Sequence, residues 1–139
     1  DQTHTLNANI FVAGSDWGAS VITTVSSGQP YTPTLIGGAY TGRNVLTGLA
    51  ENSRRRPFIA RFDYEMFTNL TLAGMNLQIF LRAFNLFDAK NPTNVYGDTG
   101  KPDFTLQEEQ VSDYDTGWFD VPTFYSEPRS IYVGTKISL

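Results

Sequence analysis

Apolar and polar residues alternate along five stretches of this chain, and the clearest is its ending. Ile131, Val133, Thr135, Ile137 and Leu139 fall on one face of an extended strand, and Ser130, Tyr132, Gly134, Lys136 and Ser138 on the other. Alternation with period two marks a strand with one apolar face. Near the beginning, Leu6, Ala8, Ile10 and Val12 alternate with Asn7, Asn9 and Phe11, which predicts a strand over residues 3–13. Gly14-Ser15-Asp16-Trp17 has the residue types of a tight turn, and a second strand follows to about residue 27. With Ser15 and Asp16 as the loop, Val12 faces Ala19, Ile10 faces Val21 and Leu6 faces Val25. A slip of one residue destroys that match.

A second hairpin passes the same test. Strands over residues 58–71 and 75–87, folded at Ala73-Gly74, bring Met66 opposite Leu81, Thr68 opposite Ile79 and Leu70 opposite Leu77. On the other face Glu65 meets Arg82, Asn69 meets Gln78 and Phe67 meets Phe80. Opposite charges paired across strands are stabilising. Two long connections remain. Residues 28–56 are rich in Gly and Pro, with room for a short strand extension at residues 31–35, and residues 88–128 are acidic and aromatic. The expectation is an all-β chain of five antiparallel up-and-down strands whose connections alternate short, long, short, long. Short turns at one rim and long loops at the other are the asymmetry of outer-membrane β-barrels. A last strand that uses its final residue also fits a sheet closed on itself, which has no edges.

Composition adjusts this picture without replacing it. Hydrophobic residues make up 40% and aromatics 14%, yet no apolar run approaches the ~20 residues of a membrane helix. A barrel needs none, because its strands alternate. The absence of cysteine excludes disulfides and thiolate metal sites. A net charge of −4 argues against nucleic acid as a partner. Strand-like text begins almost at once, at Leu6, with no initiator Met before it, so residues 1–139 are expected to be a fragment of a longer chain.

Candidate chemistry is sparse. Asp113, Asp115 and Asp120, with Glu108 and Glu109, could offer oxygen ligands to Ca²⁺, but they lack the spacing of a calcium loop and read as a solvated acidic loop. His4 is the only histidine, so neither a histidine metal site nor a catalytic triad is expected, and no cofactor or metal is assigned. Arg61, Asp63, Glu65 and Arg82 form a charged cluster on the polar face. Carboxylate pairs can serve a hydrolase as acid and base. With arginines beside them these read as structural ion pairs, with a substrate path as the functional alternative, and no enzymatic activity is expected. Arg54-Arg55-Arg56 reads as a solvated charge run, with lipid phosphate as the functional alternative. Phe58, Phe62, Tyr64, Phe87 and Tyr132 read as an interfacial girdle. Trp118, Phe119, Phe124 and Tyr125 in the last connection could stack on a ligand such as a sugar or pack that loop onto its neighbours.

The ending, read as Tyr132, Gly134, Ile137 and Leu139, resembles the carboxy-terminal assembly signal of bacterial outer-membrane barrels; many of these end in Phe, where this chain has Leu. Residues 26–33 (SSGQPYTP), 56–63 (RPFIARFD) and above all 81–88 (LRAFNLFD), followed by Asn91 and Asn94-Val95-Tyr96, resemble TonB-dependent outer-membrane receptors. Ser126-Glu127-Pro128-Arg129 resembles relatives with a carboxypeptidase-regulatory-like amino-terminal extension. The resemblance implies a barrel of 22 strands filled by a plug domain and serving active uptake of a scarce nutrient: a siderophore, cobalamin, an oligosaccharide or a peptide; residues 1–139 would be the C-terminal portion of that one barrel domain, its last five strands. Its implied partners are outer-membrane lipid, the rest of the barrel and plug, TonB through an absent amino-terminal part, and the barrel-assembly machinery. The alternatives are a plug-less porin and a soluble β-sandwich that binds carbohydrate. An upstream plug separates the first from the receptor. In the second, Leu77, Ile79 and Leu81 would be buried against another sheet.

Overall fold

The structure, a computed structural model, describes residues 2–34, 51–110 and 116–138. It is all-β and mostly antiparallel. Among the described residues seven strands run in chain order: β1 (Thr5–Ala13), β2 (Trp17–Ser26), β3 (Pro30–Tyr31), β4 (Arg54–Arg55), β5 (Ile59–Leu72), β6 (Met75–Phe84) and β7 (Ser130–Ser138). The long strands form one sheet in the order β1-β2-β5-β6-β7, and β3 pairs with β4. Among the described residues the sheet is open, with β1 and β7 at its edges. The chain divides into two compact units: Asp1–His4, Ser26–Ile59 and Asn91–Ser126 in the first, and Thr5–Val25, Ala60–Lys90 and Glu127–Leu139 in the second.

In the sheet unit both hairpins take the register that the alternation predicts. The Gly14 N–H donates to the Trp17 carbonyl at 2.9 Å, leaving Ser15 and Asp16 as the loop. At the far end of the same strand pair the Ser27 N–H donates to the His4 carbonyl at 2.9 Å. The two bonds set the same offset, so no residue bulges between them. In the second hairpin Met66 pairs with Leu81, Thr68 with Ile79 and Leu70 with Leu77. Its turn residues Ala73 and Gly74 have φ of 49° and 81°. Two successive positive φ values are what a two-residue hairpin turn requires, because they match the twist of the strands. β7 then adds Val133 opposite Leu81, Thr135 opposite Ile79 and Ile137 opposite Leu77.

The fourth strand was expected to reach Phe87 but ends at Phe84. Asn85 takes φ 51°, which turns the chain out of the ladder. The Leu86 N–H still reaches the Phe62 carbonyl, at 2.8 Å, one residue out of step with the β5–β6 register.

Alternation thus gives the sheet two unlike faces. One carries Leu6, Ile10, Met66, Leu70, Val133 and Ile137, all exposed, Val133 at 71%. The other carries Glu65, Arg82, Asn69, Gln78 and Lys136, with aromatics among them. Across that face runs a row of four residues on four strands. The Phe67 ring covers Gly18 and the Phe80 ring covers Gly134, while Phe67 and Phe80 are ladder partners. β2 joins β5 in the same antiparallel sense, since the Asn69 N–H donates to the Asp16 carbonyl at 2.6 Å, two residues before Gly18 and two after Phe67.

The other unit is built from the long connections. Pro30 and Tyr31 pair with Arg55 and Arg54, so the strand extension expected at residues 31–35 is instead this short pair; Leu35 lies outside the described residues. Gly28 has no room for a side chain, because the Arg56 carbonyl occupies that space. Ser27 fastens the amino-terminal residues, its hydroxyl accepting the N–H groups of Thr3 at 3.1 Å and His4 at 3.0 Å. The two connections pack on each other: the Thr34 N–H donates to the Gly97 carbonyl at 2.9 Å, and Gly100 lies against the buried Tyr31 ring.

Candidate functional site

Three groups of residues were expected to carry function, and each is positioned by a different part of the fold. The charged cluster lies on the polar face, where β5 and β6 place it in two separate ion pairs. Arg82 Nη2 sits 2.9 Å from Glu65 Oε1 across the ladder, and Arg61 Nε sits 2.9 Å from Asp63 Oδ1 along β5. Arg82 also lies 5.1 Å from the centre of the Phe80 ring, which supports its charge from below. Ser20, Ile22, Asp63, Glu65, Arg82 and Phe84 surround a shallow hollow on this face. Both carboxylates here have an arginine within hydrogen-bond distance.

The residues resembling an assembly signal divide between the faces. Ile137 lies opposite Leu77 on the apolar face, whereas Gly134 lies opposite Phe80 and Tyr132 opposite Arg82 on the polar one. Tyr132 meets the Phe84 ring edge-on at 5.9 Å. The register keeps its ring on the polar face, where the alternation puts it. Phe62 does alternate with the apolar set and meets Phe87 edge-on at 5.1 Å. Leu139 lies outside the described residues.

The aromatics of the last connection do different jobs. Phe124 packs against Tyr96 with ring centres 5.0 Å apart. The Phe119 carbonyl accepts the Tyr96 hydroxyl at 2.6 Å. Tyr125 forms a bridge with Pro92, so Phe119, Phe124 and Tyr125 hold the loop together. Trp118, 86% exposed, stands clear of that packing. Burial, and then the carboxylates Glu108, Asp120 and Asp98, push the Tyr96 phenol above its ordinary range. Burial and the carboxylates Asp103 and Asp120 do the same to Tyr125.

Asp98 is the hub of this connection. Its carboxylate accepts the Thr105 hydroxyl at 2.8 Å and the Leu106 N–H at 2.7 Å, and Thr105 is buried. Burial alone raises its pKa, but the hydrogen bonds from the Thr105 hydroxyl and from backbone amides outweigh that and hold the carboxyl below its ordinary range. Of the candidate calcium ligands, Asp113 and Asp115 lie outside the described residues. Among the described residues no group of three acids or histidines comes together.

The basic run departs from a simple solvated stretch. Arg54 and Arg55 form β4, the Arg55 guanidinium donates to the Gly28 carbonyl at 3.3 Å, and the Arg56 guanidinium donates to the Thr93 carbonyl at 3.3 Å. His4 is exposed at the start of β1.

Two residues given no role by the alternation turn out to be pivotal. Asn85 is 4% exposed, and its side-chain amide donates to the Ala89 and Glu127 carbonyls, each at 3.1 Å, while its Oδ1 accepts the Ala89 N–H at 2.9 Å. Asp88, also at positive φ, accepts the Arg129 N–H at 2.8 Å. The signal was available: Asn and Asp are the side chains that tolerate left-handed backbone, and Asn85 follows β6 directly with Asp88 three residues on.

No family model matches the chain, and no curated protein or solved structure matches it.

Proposed function

We propose that this chain is the last five strands in the wall of a TonB-dependent outer-membrane receptor, a plug-filled 22-stranded barrel that takes up a scarce nutrient actively. The observation that carries the reading is the asymmetry of the sheet. A ladder of apolar side chains, Met66-Leu81-Val133 and Leu70-Leu77-Ile137, covers one face across three strands, exposed at Met66, Leu70, Val133 and Ile137 and half-buried at Leu77 and Leu81. Exposed apolar patches of that extent are uncommon on soluble monomers. Lipid would cover them in a barrel wall. The opposite face, with its ion pairs and Asn69–Gln78 hydrogen bond at 2.9 Å, would then line the lumen and face the plug. The open edges of β1 and β7 would pair with the remaining strands of the full chain, since an unpaired backbone edge has no place in hydrocarbon.

In this reading the chain is a transporter part and not an enzyme. Arg61–Asp63 and Arg82–Glu65 keep the lumen wall wet, and the loop bearing Trp118 faces the cell exterior. The order of short and long connections supports that orientation. The recognition residues of β7 would be read by the barrel-assembly machinery during insertion.

The test is uptake by the full-length protein in hosts with and without TonB. Labelled ferric siderophore, cobalamin, oligosaccharide and peptide are offered in turn. Accumulation of one of them that requires TonB supports the proposal. Uptake that is equal in both hosts is the behaviour of a plug-less porin.

A further inference from the structure

The two ion pairs of the polar face differ in one respect. Arg82–Glu65 is a local cross-strand pair. The Asp63 carboxylate, in contrast, accepts two kinds of donor: the Arg61 guanidinium at 2.9 and 3.0 Å, and the Asn85 backbone N–H at 2.9 Å. Asn85 is the residue that fastens both ends of the last long connection, through the Ala89 carbonyl and amide at one end and the Glu127 carbonyl at the other. Asp88, whose own N–H donates to the Asn85 carbonyl at 2.8 Å, adds the Arg129 amide beyond Glu127.

We propose that Asp63 is the release point of a clasp that closes the 89–128 connection at its base. The physical argument begins with Asn85. It holds φ 51°, a left-handed conformation that asparagine tolerates better than most residues but that its surroundings must still select over the strand geometry preceding it. Its buried side chain supplies part of that selection. The rest comes from Asp63, whose charged oxygen makes the stronger kind of hydrogen bond to the Asn85 N–H. Arg61 holds the carboxylate in place to receive it. Removing the charge at position 63 weakens the bond that keeps Asn85 in its left-handed geometry. The amide of Asn85 then loses its aim at Ala89 and Glu127. The coupling runs from a carboxylate on the polar face to both ends of the connection. Glu65, two residues along the same strand and on the same face, has no such link. A group that competes for Asp63 on that face therefore loosens the connection, while one that competes for Glu65 does not.

The experiment is hydrogen exchange on the full-length chain, followed in peptides spanning 86–90 and 127–131 and, as reference, in peptides from β5 and β6. Asp63→Asn is compared with Glu65→Gln. Asn85→Gly serves as the second variant: glycine keeps the positive φ but drops the side-chain bonds. Loss of the charge-assisted hydrogen bond in Asp63→Asn, and of the side-chain bonds in Asn85→Gly, is expected to speed exchange of the Ala89 and Arg129 amides about tenfold to a hundredfold, with the β5–β6 ladder unchanged. Glu65→Gln is expected to leave both end peptides at wild-type rates. The proposal is overturned if Asp63→Asn leaves the end peptides unchanged, if Asn85→Gly does so, or if Glu65→Gln speeds them equally.

Discussion

The tip of the Phe80 ring occupies the space in which Gly134 would carry a side chain. A Cβ built on Gly134 lies 2.5 Å from Phe80 Cζ, with Cε1 at 2.9 Å and Cε2 at 3.1 Å. The two residues are ladder partners between β6 and β7. Glycine in a strand sacrifices packing and backbone entropy, and here the neighbouring ring returns the packing.

The first prediction follows from that contact. Gly134→Ala forces the Phe80 ring to move and should cost about 1–3 kcal/mol, the range of overpacking. Phe80→Leu should lose less stability in the Gly134→Ala background than in the wild type. Urea unfolding of the full-length protein, run as a double-mutant cycle, measures the coupling. Additive losses would mean that the ring and the glycine do not share their space.

Asp98 gives a pH prediction. Its folded pKa lies below the ordinary value of 3.8, so its contribution to stability is present above that value and is lost as pH falls through the folded one. Asp98→Asn should therefore weaken the last connection near neutral pH, because Thr105 and Leu106 lose a charged acceptor. Well below the folded pKa, variant and wild type should be alike. Proteolytic nicking within residues 89–128, compared at the two extremes, reads the difference.

Tyr96 shifts the other way. Burial comes first and neighbouring carboxylates add to it, so its folded pKa is raised above 10.0. The stability this confers is complete below 10.0 and fades as pH rises towards the folded value. Tyr96→Phe should remove one of the steps that titrate above the ordinary tyrosine range from the tyrosinate absorbance curve. At neutral pH it should cost about 0.5–1.5 kcal/mol for the lost bond to the Phe119 carbonyl.

The strands were legible because one face of each had to be apolar. Both hairpin registers could be written down from residue types, and Leu70–Leu77 and Glu65–Arg82 pair as that reading requires. The end of β6 was not legible from alternation, because Leu86 and Phe87 continue an apolar pattern that the backbone abandons at Asn85. A positive φ leaves no trace in hydrophobic periodicity. The loop aromatics were ambiguous for another reason. A Phe that packs a loop and a Trp that stands free have the same composition, and only the fold separates Phe124 from Trp118.

The central claim is that the apolar face meets lipid and the polar face does not. Single cysteines at Ile131, Val133, Thr135 and Ile137, and at Ser130, Tyr132, Lys136 and Ser138, can be spin-labelled one at a time in the full-length protein in bilayers, with any other cysteines first replaced. Oxygen, which concentrates in the hydrocarbon, is then compared with a polar relaxation agent. The account predicts alternation with period two along β7: the first set relaxed by oxygen and the second set not. A first set shielded from both agents, as when β7 packs on a second sheet, would contradict it.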